Sequence, residues 1–358
     1  MRALRLRSVG MSCKEGVPGL TTPRKITMAE LARLANVDVS TVSRALSGSP
    51  LVKEDTKAEI LKIAAEWGYA VNASARNLRR QSAEAIGLVI PLRPGSGQTI
   101  SDPFYLEMVA AVSEAASRRG YDLIVSVPKG NEQIAEQRLL RTGKADGLII
   151  IGQAGLKHTL DALGPLARKV VVWGGQSEGV TYTLVGSDNR EGGRLAAEHL
   201  FSAGRTRTLF MGPLGLPEVR LRLEGFDQAR RALGLSVEPG LRLDVEFGGT
   251  SGFQELGEML DGGVVFDSIF AASDVLAMTA VMALQARGLQ VPADVAVMGY
   301  DNIGQSRLCS PALTTIDQNI PAGGELLVDL LLRQLNGEDV KSQLTPTQLI
   351  VRASTGKR

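Results

Sequence analysis

Two hydrophobic periodicities divide this 358-residue chain into a short N-terminal part and a long C-terminal part. Between residues 26 and 69, apolar residues recur at the three- and four-residue spacing of amphipathic helices. From residue 85 onward, short β-branched runs alternate with helical stretches. Such alternation predicts an α/β fold, in which doubly wound parallel strands are joined by helices.

The N-terminal part is predicted to contain three helices. Thr27 and Glu30 have the spacing of a capping box, so a first helix should begin directly after Thr27. Asp38 is expected to cap a second helix over residues 39–46, and a third helix should cover residues 54–67. Two short helices joined by a tight turn and braced by a third describe a helix-turn-helix.

The second of these helices has an outer face of mostly small, polar residues. Val42, Ala45 and Leu46 can face the other two helices. The remaining residues have little bulk, so the helix can enter a major groove and reach base edges. A three-helix surface packed on the rest of the protein is the alternative that the pattern leaves open.

The distribution of charge favours nucleic-acid binding. The net charge is only +2, but residues 1–83 carry fourteen Lys and Arg against seven Asp and Glu, a charge of +7. The remainder carries 26 against 31, a charge of −5. A basic N-terminal part on an acidic body is typical of a nucleic-acid module attached to another domain.

Residues 70–83 link the two parts and are small, polar and basic, which is typical of a flexible linker. Several of them are good helix formers, so a short helix with Leu78 as its large apolar residue is the other interpretation.

The segments VSTVSRALSG (39–48) and GYAVNASARNLR (68–79) resemble the head and hinge of lactose-repressor-type (LacI/GalR) transcription regulators, and the likeness extends over residues 26–355. The resemblance implies a hinge that folds into a helix on operator DNA, with Leu78 wedged into the minor groove. Asp38, Lys53 and Val71 stand where the family usually has two capping Ser residues and a Pro.

The resemblance and the outer face of the second helix together predict the DNA contacts. One head reads few base pairs, so we expect a homodimer on a palindromic double-stranded operator. No heptad helix for tetramer formation follows the strand QLIVRAS (348–354). The predicted DNA-binding residues are Thr27, Val39, Ser40, Thr41, Ser43, Arg44, Asn72, Ala75, Leu78 and Arg79.

The C-terminal part is predicted to form two similar subdomains with a cleft between them. Strands are expected in AIGLVIP, YDLIVSVP, DGLIIIG, KVVVWGG, RTLFMGP, DSIFAAS and DVAVMGYD, the first four of them as buried strands. Helices are expected over residues 104–119, 132–142, 189–202, 219–233 and 274–287. The resemblance implies a periplasmic-binding-protein-like core in which the chain crosses between subdomains near Gly186, Gln318 and Leu344.

The predicted organisation follows from these boundaries. Residues 1–24 form a basic extension that we expect to be disordered, 25–69 the helix-turn-helix domain, 70–83 the hinge helix and 84–358 the core. Within the core, one subdomain covers about 84–186 and 319–343, and the other covers 187–318 and 344–358.

Ligands of open α/β sheets bind beyond the carboxyl ends of the strands. Rings occur at several such ends, with an Arg and an Asp nearby, and this combination is typical of carbohydrate sites. The predicted effector-binding residues are Phe104, Tyr105, Trp173, Arg222, Phe247 (before the turn GTSGF, 249–253) and Asp274. Asp274 could instead cap a helix, Arg222 could be a solvated charge, and the rings could be core or packing residues.

The resemblance favours the effector interpretation. It implies that Arg222, in the family's R-x-x-G-F segment, and Asp274 contact the effector. Purine-binding relatives have an Arg and a Thr where Leu216 and Glu218 stand here, so a sugar or glycoside is expected.

The sequence shows no catalytic or metal-binding pattern. Cys13 and Cys309 lie far apart, His158 and His199 have no Ser or Cys nucleophile nearby, and no phosphate-binding G-x-x-x-x-G-K occurs. No apolar run approaches membrane-spanning length and no signal peptide is recognised, so we expect a cytoplasmic protein without membrane contact, cofactor or enzymatic activity. The alternative is a sugar-binding protein that shares the core fold, which would not need the basic helical head.

Overall fold

A computed structural model describes residues 26–69, 82–128, 134–153, 164–176, 179–248 and 251–356. The chain divides into two compact units at about residue 80, and each is described by itself. Predictions for residues 1–24 and for Asn72, Ala75, Leu78 and Arg79 lie outside the described residues.

The first unit contains three helices, α1 (Met28–Leu34), α2 (Val39–Leu46) and α3 (Glu54–Glu66). The predicted capping box is confirmed, since Glu30 N–H donates to Thr27 Oγ1 and Thr27 N–H donates to the Glu30 carboxylate. The buried side chains of Leu31, Val42 and Ile60 join the three helices in one small core.

Asp38 lies at the N-cap position of α2 as predicted, but the expected side-chain capping is wrong. Its side chain makes no capping hydrogen bond, although its carbonyl accepts from the N–H groups of Thr41 and Val42. Lys53 makes none either, but α3 still begins at Glu54, whose carboxylate lies 3.3 Å from Lys57 Nζ. The amphipathic packing of α2 and α3 therefore holds their first turns without side-chain caps.

The described part of the second unit contains twelve strands. They are β1 (Ala85–Val89), β2 (Asp122–Ser126), β3 (Gly147–Ile151), β4 (Val170–Trp173), β5 (Thr183–Ser187), β6 (Thr208–Gly212), β7 (Arg242–Asp244), β8 (Ser268–Ala271), β9 (Ala296–Asp301), β10 (Thr314–Asp317), β11 (Gln343–Thr345) and β12 (Gln348–Ile350). The helices are α4 (Pro103–Arg118), α5 (Ile134–Arg141), α6 (Asn189–Ser202), α7 (Pro217–Ala232), α8 (Ser251–Asp261), α9 (Asp274–Gln285) and α10 (Ile320–Leu335).

These strands form two six-stranded sheets, which confirms the doubly wound α/β prediction. The order in the first is β11-β5-β4-β3-β1-β2, and all its pairs are parallel. The order in the second is β12-β10-β9-β8-β6-β7, with β12 antiparallel at one edge. The core of each subdomain lies between its sheet and the flanking helices.

Two local predictions differ from the structure. β2, expected to be buried, is an edge strand with Asp122 and Val125 exposed, because only β1 pairs with it. The last three residues of the expected turn GTSGF, 251–253, belong instead to α8, whose helical pattern is weakened by Gly252 and Gly257.

The chain passes between the two sheets three times, after β5, after β10 and after β11. Hydrogen bonds tie the crossing segments together, since Thr345 Oγ1 donates to the Gln318 carbonyl at 2.9 Å and Asp188 N–H donates to the Thr345 carbonyl at 3.2 Å. The sheets therefore face each other across a cleft whose base is formed by these segments.

Candidate functional site

The outer face of α2 is accessible, as its predicted role requires. Val39, Ser40 and Arg44 are exposed, and Thr41 and Ser43 are half-buried. Thr27, at the start of α1, is also exposed. No described residue forms a salt bridge with Arg44, so its guanidinium is available for a base edge or a phosphate.

The three helices are not themselves basic. Residues 26–69 carry five Lys and Arg against six Asp and Glu, a charge of −1. Nine of the fourteen basic residues of the N-terminal part lie in the flanking sequences 1–25 and 70–83. Attraction to phosphates must therefore come mainly from these flanks, whereas α2 can supply the contacts to bases.

A cavity lies in the cleft between the two sheets of the second unit. It brings together five of the six predicted effector residues: Phe104, Tyr105, Trp173, Arg222 and Phe247. The first two belong to the first turn of α4 and their ring centroids are 5.6 Å apart, Trp173 ends β4, and Phe247 follows β7. Because ligands of open α/β sheets bind beyond the carboxyl ends of the strands, the sequence alone predicted the rings that line the cavity.

Arg222 is held firmly in the cavity wall. Its Nε donates to Asn189 Oδ1 at 2.8 Å, its Nη1 donates to the Ala272 carbonyl, and its Cζ lies 3.6 Å from the centre of the Tyr300 ring. These contacts order the guanidinium before any ligand arrives, which lowers the entropic cost of binding.

The structure places Asp274, the sixth predicted residue, behind the cavity wall. Its carboxylate is fully buried and accepts hydrogen bonds from Thr315 Oγ1 at 2.5 Å and from Ile303 N–H at 3.0 Å. It does not cap α9 either, because Ser273 Oγ accepts from Leu276 N–H. Burial raises the pKa of Asp274 to about 7, against the opposing effect of these donors. Asp274 therefore joins the start of α9 to β10 and the segment after β9.

Asp301 is a buried acid that does line the cavity, and the sequence patterns did not single it out. It ends β9, and its Oδ1 accepts from Gln318 Nε2 at 2.6 Å. Burial raises the pKa of its carboxyl well above the usual value, and the nearby Arg222 opposes that rise. The signal was present in the segment DVAVMGYD, an acid at the end of a buried strand.

Other polar residues of the cavity were also missed. They come from loops, helix starts and one strand end on both sides of the cleft and include Arg93, Gln98, Asp102, Ser187, Asn189, Glu218 and Gln318. Only Glu218 had been considered, as a departure from purine-binding relatives. Most of these positions lie in segments without periodicity, so sequence patterns gave no indication of them.

The two rims of the cleft touch each other. Arg93, after β1, forms an ion pair with Glu246, after β7. Gly304 N–H donates to Glu107 Oε1 of α4 at 2.7 Å. A Cβ atom on Gly248 would lie 2.4 Å from Gln98 N, so the backbones of opposite rims are in close contact. The described conformation is therefore one in which the cleft is closed.

We expect Asp274→Ala to destabilise the second unit by about 2–4 kcal/mol, because it leaves buried donors on Thr315 and Ile303 without an acceptor. Thermal unfolding should show a loss of several degrees. The control is Glu258→Ala, which removes an exposed carboxylate and should change the stability little. Equal melting temperatures for the two variants would contradict the bridging role of Asp274.

Other candidate chemistry has structural explanations. His199 Nε2 lies 2.7 Å from Thr355 Oγ1, and burial lowers the pKa of the imidazole. Cys309 Sγ donates to the carbonyls of Ser306 and Pro311. Among the described residues, no group of three His, Cys, Asp or Glu side chains could hold a metal ion. No helix in the described ranges is long and apolar enough to span a membrane.

A helix-turn-helix unit followed by a two-subdomain core with a closed polar and aromatic cleft defines a class, the DNA-binding regulators that respond to a small ligand. Comparison with known proteins gives the family. Residues 27–72 match the family model of bacterial regulatory proteins of the lacI family, and residues 197–355 match that of the periplasmic binding protein-like domain.

Full-length relatives agree with both matches. The ribose operon repressor of Escherichia coli is 31% identical over 328 residues, which cover 89% of this chain and 97% of that protein. The Lac repressor dimer bound to operator and the anti-inducer ONPF is 27% identical, with a TM-score of 0.81 over 93% of this chain and 100% of that one. The complex of the transcriptional regulator CelR with cellobiose is 29% identical, with a TM-score of 0.66 over 92% and 100%. The chain belongs to the lacI family of bacterial regulatory proteins.

Proposed function

We propose that this protein is a transcriptional repressor that binds a palindromic operator as a homodimer and responds to a sugar or glycoside held in the cleft. The main observation in support of the sugar effector is the cavity, which combines aromatic rings on several sides with fixed polar groups. The exposed face of α2 supports the operator contacts, and the repressors and the operator-bound dimer to which the chain is similar support the assembly.

The composition of the cavity supports a carbohydrate. Phe104, Trp173 and Phe247 offer apolar faces, onto which the C–H faces of a sugar ring can pack. Arg222 and Asp301 are ordered donor and acceptor groups for hydroxyls. The regulator CelR was solved with cellobiose, so a related cleft can hold a sugar.

The closed cleft supports a mechanism for control. A ligand between the subdomains that interacts with both favours the closed state over an open one, in proportion to its difference in affinity for the two. Residues 70–83 connect the head to the first strand of the core, so a shift in closure would be transmitted along the chain to the head. Coupling of this kind is typically about 1–3 kcal/mol.

The proposed action is binding, in the cytoplasm where the operator lies, with no cofactor and no chemical step. The alternative of a sugar-binding protein without DNA binding differs in one measurable property. The full chain should bind operator DNA, and a fragment of residues 84–358 should bind the same sugar but not DNA. If neither the full chain nor the fragment binds operator DNA, the alternative is supported.

Thermal melting of the full chain with a panel of neutral sugars, glycosides, sugar phosphates and purine bases tests the effector class. Compounds that raise the melting temperature are then added to operator-binding assays. A sugar that stabilises the protein and changes operator affinity supports the proposal, whereas a response to purines alone would contradict it.

We expect the Arg44→Ala variant to bind operator about 5- to 150-fold more weakly. A guanidinium that contacts a base edge contributes about 1–3 kcal/mol to the free energy of operator binding. Fluorescence anisotropy on operator and on scrambled DNA measures the effect. Arg33→Ala, which removes an exposed cation outside α2, should weaken both DNAs equally. If Arg44→Ala also weakens both equally, Arg44 contacts only phosphate.

A further inference from the structure

Glu218 lines the cavity with one carboxylate oxygen that has no hydrogen-bond partner among the described residues. It is the second residue of α7 and lines the cleft, and its Oε2 is buried without a hydrogen bond from any described residue. Its backbone is held in place, since a Cβ on Gly175 would lie only 2.6 Å from Glu218 N across the cleft. The backbone of Glu218 is therefore fixed between two opposed elements, and its carboxyl group lines the cavity with one buried, unsatisfied oxygen.

A buried carboxylate with one unsatisfied oxygen is unfavourable unless a ligand supplies a donor. Removing a carboxylate from water without providing donors costs free energy, and burial correspondingly raises the pKa of the Glu218 carboxyl, while Arg222 and Arg93 oppose the rise. A ligand that brings a hydrogen-bond donor to Oε2 removes this cost. Binding of such a ligand is favoured over binding of one that brings another acceptor.

The other charges of the cavity strengthen this preference. The described lining contains three carboxyl groups, on Asp102, Glu218 and Asp301, and two guanidinium groups, on Arg93 and Arg222. Arg93 is already paired with Glu246, and two nitrogens of Arg222 donate to the protein. The cavity therefore offers many acceptors and little cationic capacity for a phosphate or a carboxylate.

We propose that Glu218 is a specificity-determining residue that accepts hydrogen bonds from effector hydroxyls and restricts the cleft to non-anionic, hydroxyl-rich sugars, excluding sugar phosphates and sugar acids. This inference rests on the proposed carbohydrate response and adds the charge class of the ligand and the residue that selects it.

The test compares Glu218→Gln with Glu224→Gln in the full-length protein. Glu224 lies on the same helix but is half-exposed and paired with Arg190, so it is a matched control outside the cavity. The probes are the neutral sugar that gives the largest melting shift, its phosphate ester and its acid form. Titration calorimetry gives the dissociation constants, and melting without ligand gives the stability.

The wild type should bind the neutral sugar at least 100-fold more tightly than its phosphate. Glu218→Gln should weaken neutral-sugar binding about 10- to 100-fold and reduce the discrimination against the phosphate, because it removes the charge but keeps the shape. It should melt at the same or a higher temperature without ligand, a result that a purely structural role would not give. Glu224→Gln should match the wild type in all three measurements.

Two results would overturn the inference and leave sugar-controlled regulation standing. One is unchanged neutral-sugar affinity in Glu218→Gln, and the other is a wild type that binds the phosphate or acid form more tightly. A protein that binds operator DNA but responds to no carbohydrate of either kind would overturn the proposed effector class, and this inference with it.

Discussion

Asp301→Asn should weaken effector binding about 10- to 150-fold and abolish the effector response, while operator affinity without effector stays within about twofold of the wild type. Asp301 lines the cavity, and exchanging one of its carboxyl oxygens for an amide NH2 removes an acceptor, which leaves a buried ligand hydroxyl unsatisfied at a cost of up to about 3 kcal/mol. Asn has nearly the same shape and can still accept from Gln318, so the loss should come from ligand contacts. Calorimetric titration of the effector, followed by operator binding with and without it, gives both quantities.

Asp274→Ala is the informative contrast, because the two aspartates are neighbours on opposite sides of the cavity wall. Asp274→Ala should lower thermal stability and keep the effector dissociation constant, whereas Asp301→Asn should do the reverse. The same loss of effector affinity in both variants would place Asp274 in the site, as the sequence had suggested. If the sugar releases the repressor from its operator, the Asp301→Asn variant should remain bound to the operator when the sugar is added.

Operator affinity should fall about 10³-fold or more between 50 and 200 mM salt. Six or more phosphate contacts per dimer, each with a slope of about −0.9 in log K against log salt concentration, give a change of this size. The measurement is anisotropy on operator DNA across this range. A flat response would contradict DNA binding through the basic N-terminal part.

The source of this salt dependence can be separated from sequence specificity. Residues 26–69 carry a charge of −1, whereas residues 1–25 contain six Lys and Arg and one Glu. A variant without residues 2–25 should therefore show a shallower salt slope but keep its preference for operator over scrambled DNA. A lost preference with an unchanged slope would assign base contacts to the extension and contradict the role proposed for α2.

The sequence predicted the elements of this protein well where the determining interactions are local. The capping box of Thr27 and Glu30 set the start of α1, and the Asp38 and Gly48 signals gave both ends of α2. The helix over residues 189–202 was also predicted at both ends. These signals involve residues three or four apart, so they can be recognised before any tertiary structure is known.

Strand burial and side-chain capping were less predictable, because each depends on the surroundings of the element. The β-branched run of β2 resembles that of a buried strand, but its place at the edge follows from the order of the whole sheet. Asp38 has a suitable residue type for a cap, yet the packing of α2 on its neighbours holds the helix without one.

By itself, the sequence determined the class of fold, the helix-turn-helix and the aromatic side of the cleft, since strand ends and ring residues can both be recognised along the chain. Only the tertiary structure decided which of two aspartates lines the cavity. Asp274 and Asp301 both occur where a buried strand ends, but Asp274 is drawn toward Thr315 and Ile303 behind the wall, while Asp301 lies beside Gln318 in the cavity. Those partners are 17 to 41 residues away along the chain. Pairing of β9 with β10 and the crossing after β10 bring the two aspartates close to these partners, and no local pattern encodes such long-range contacts.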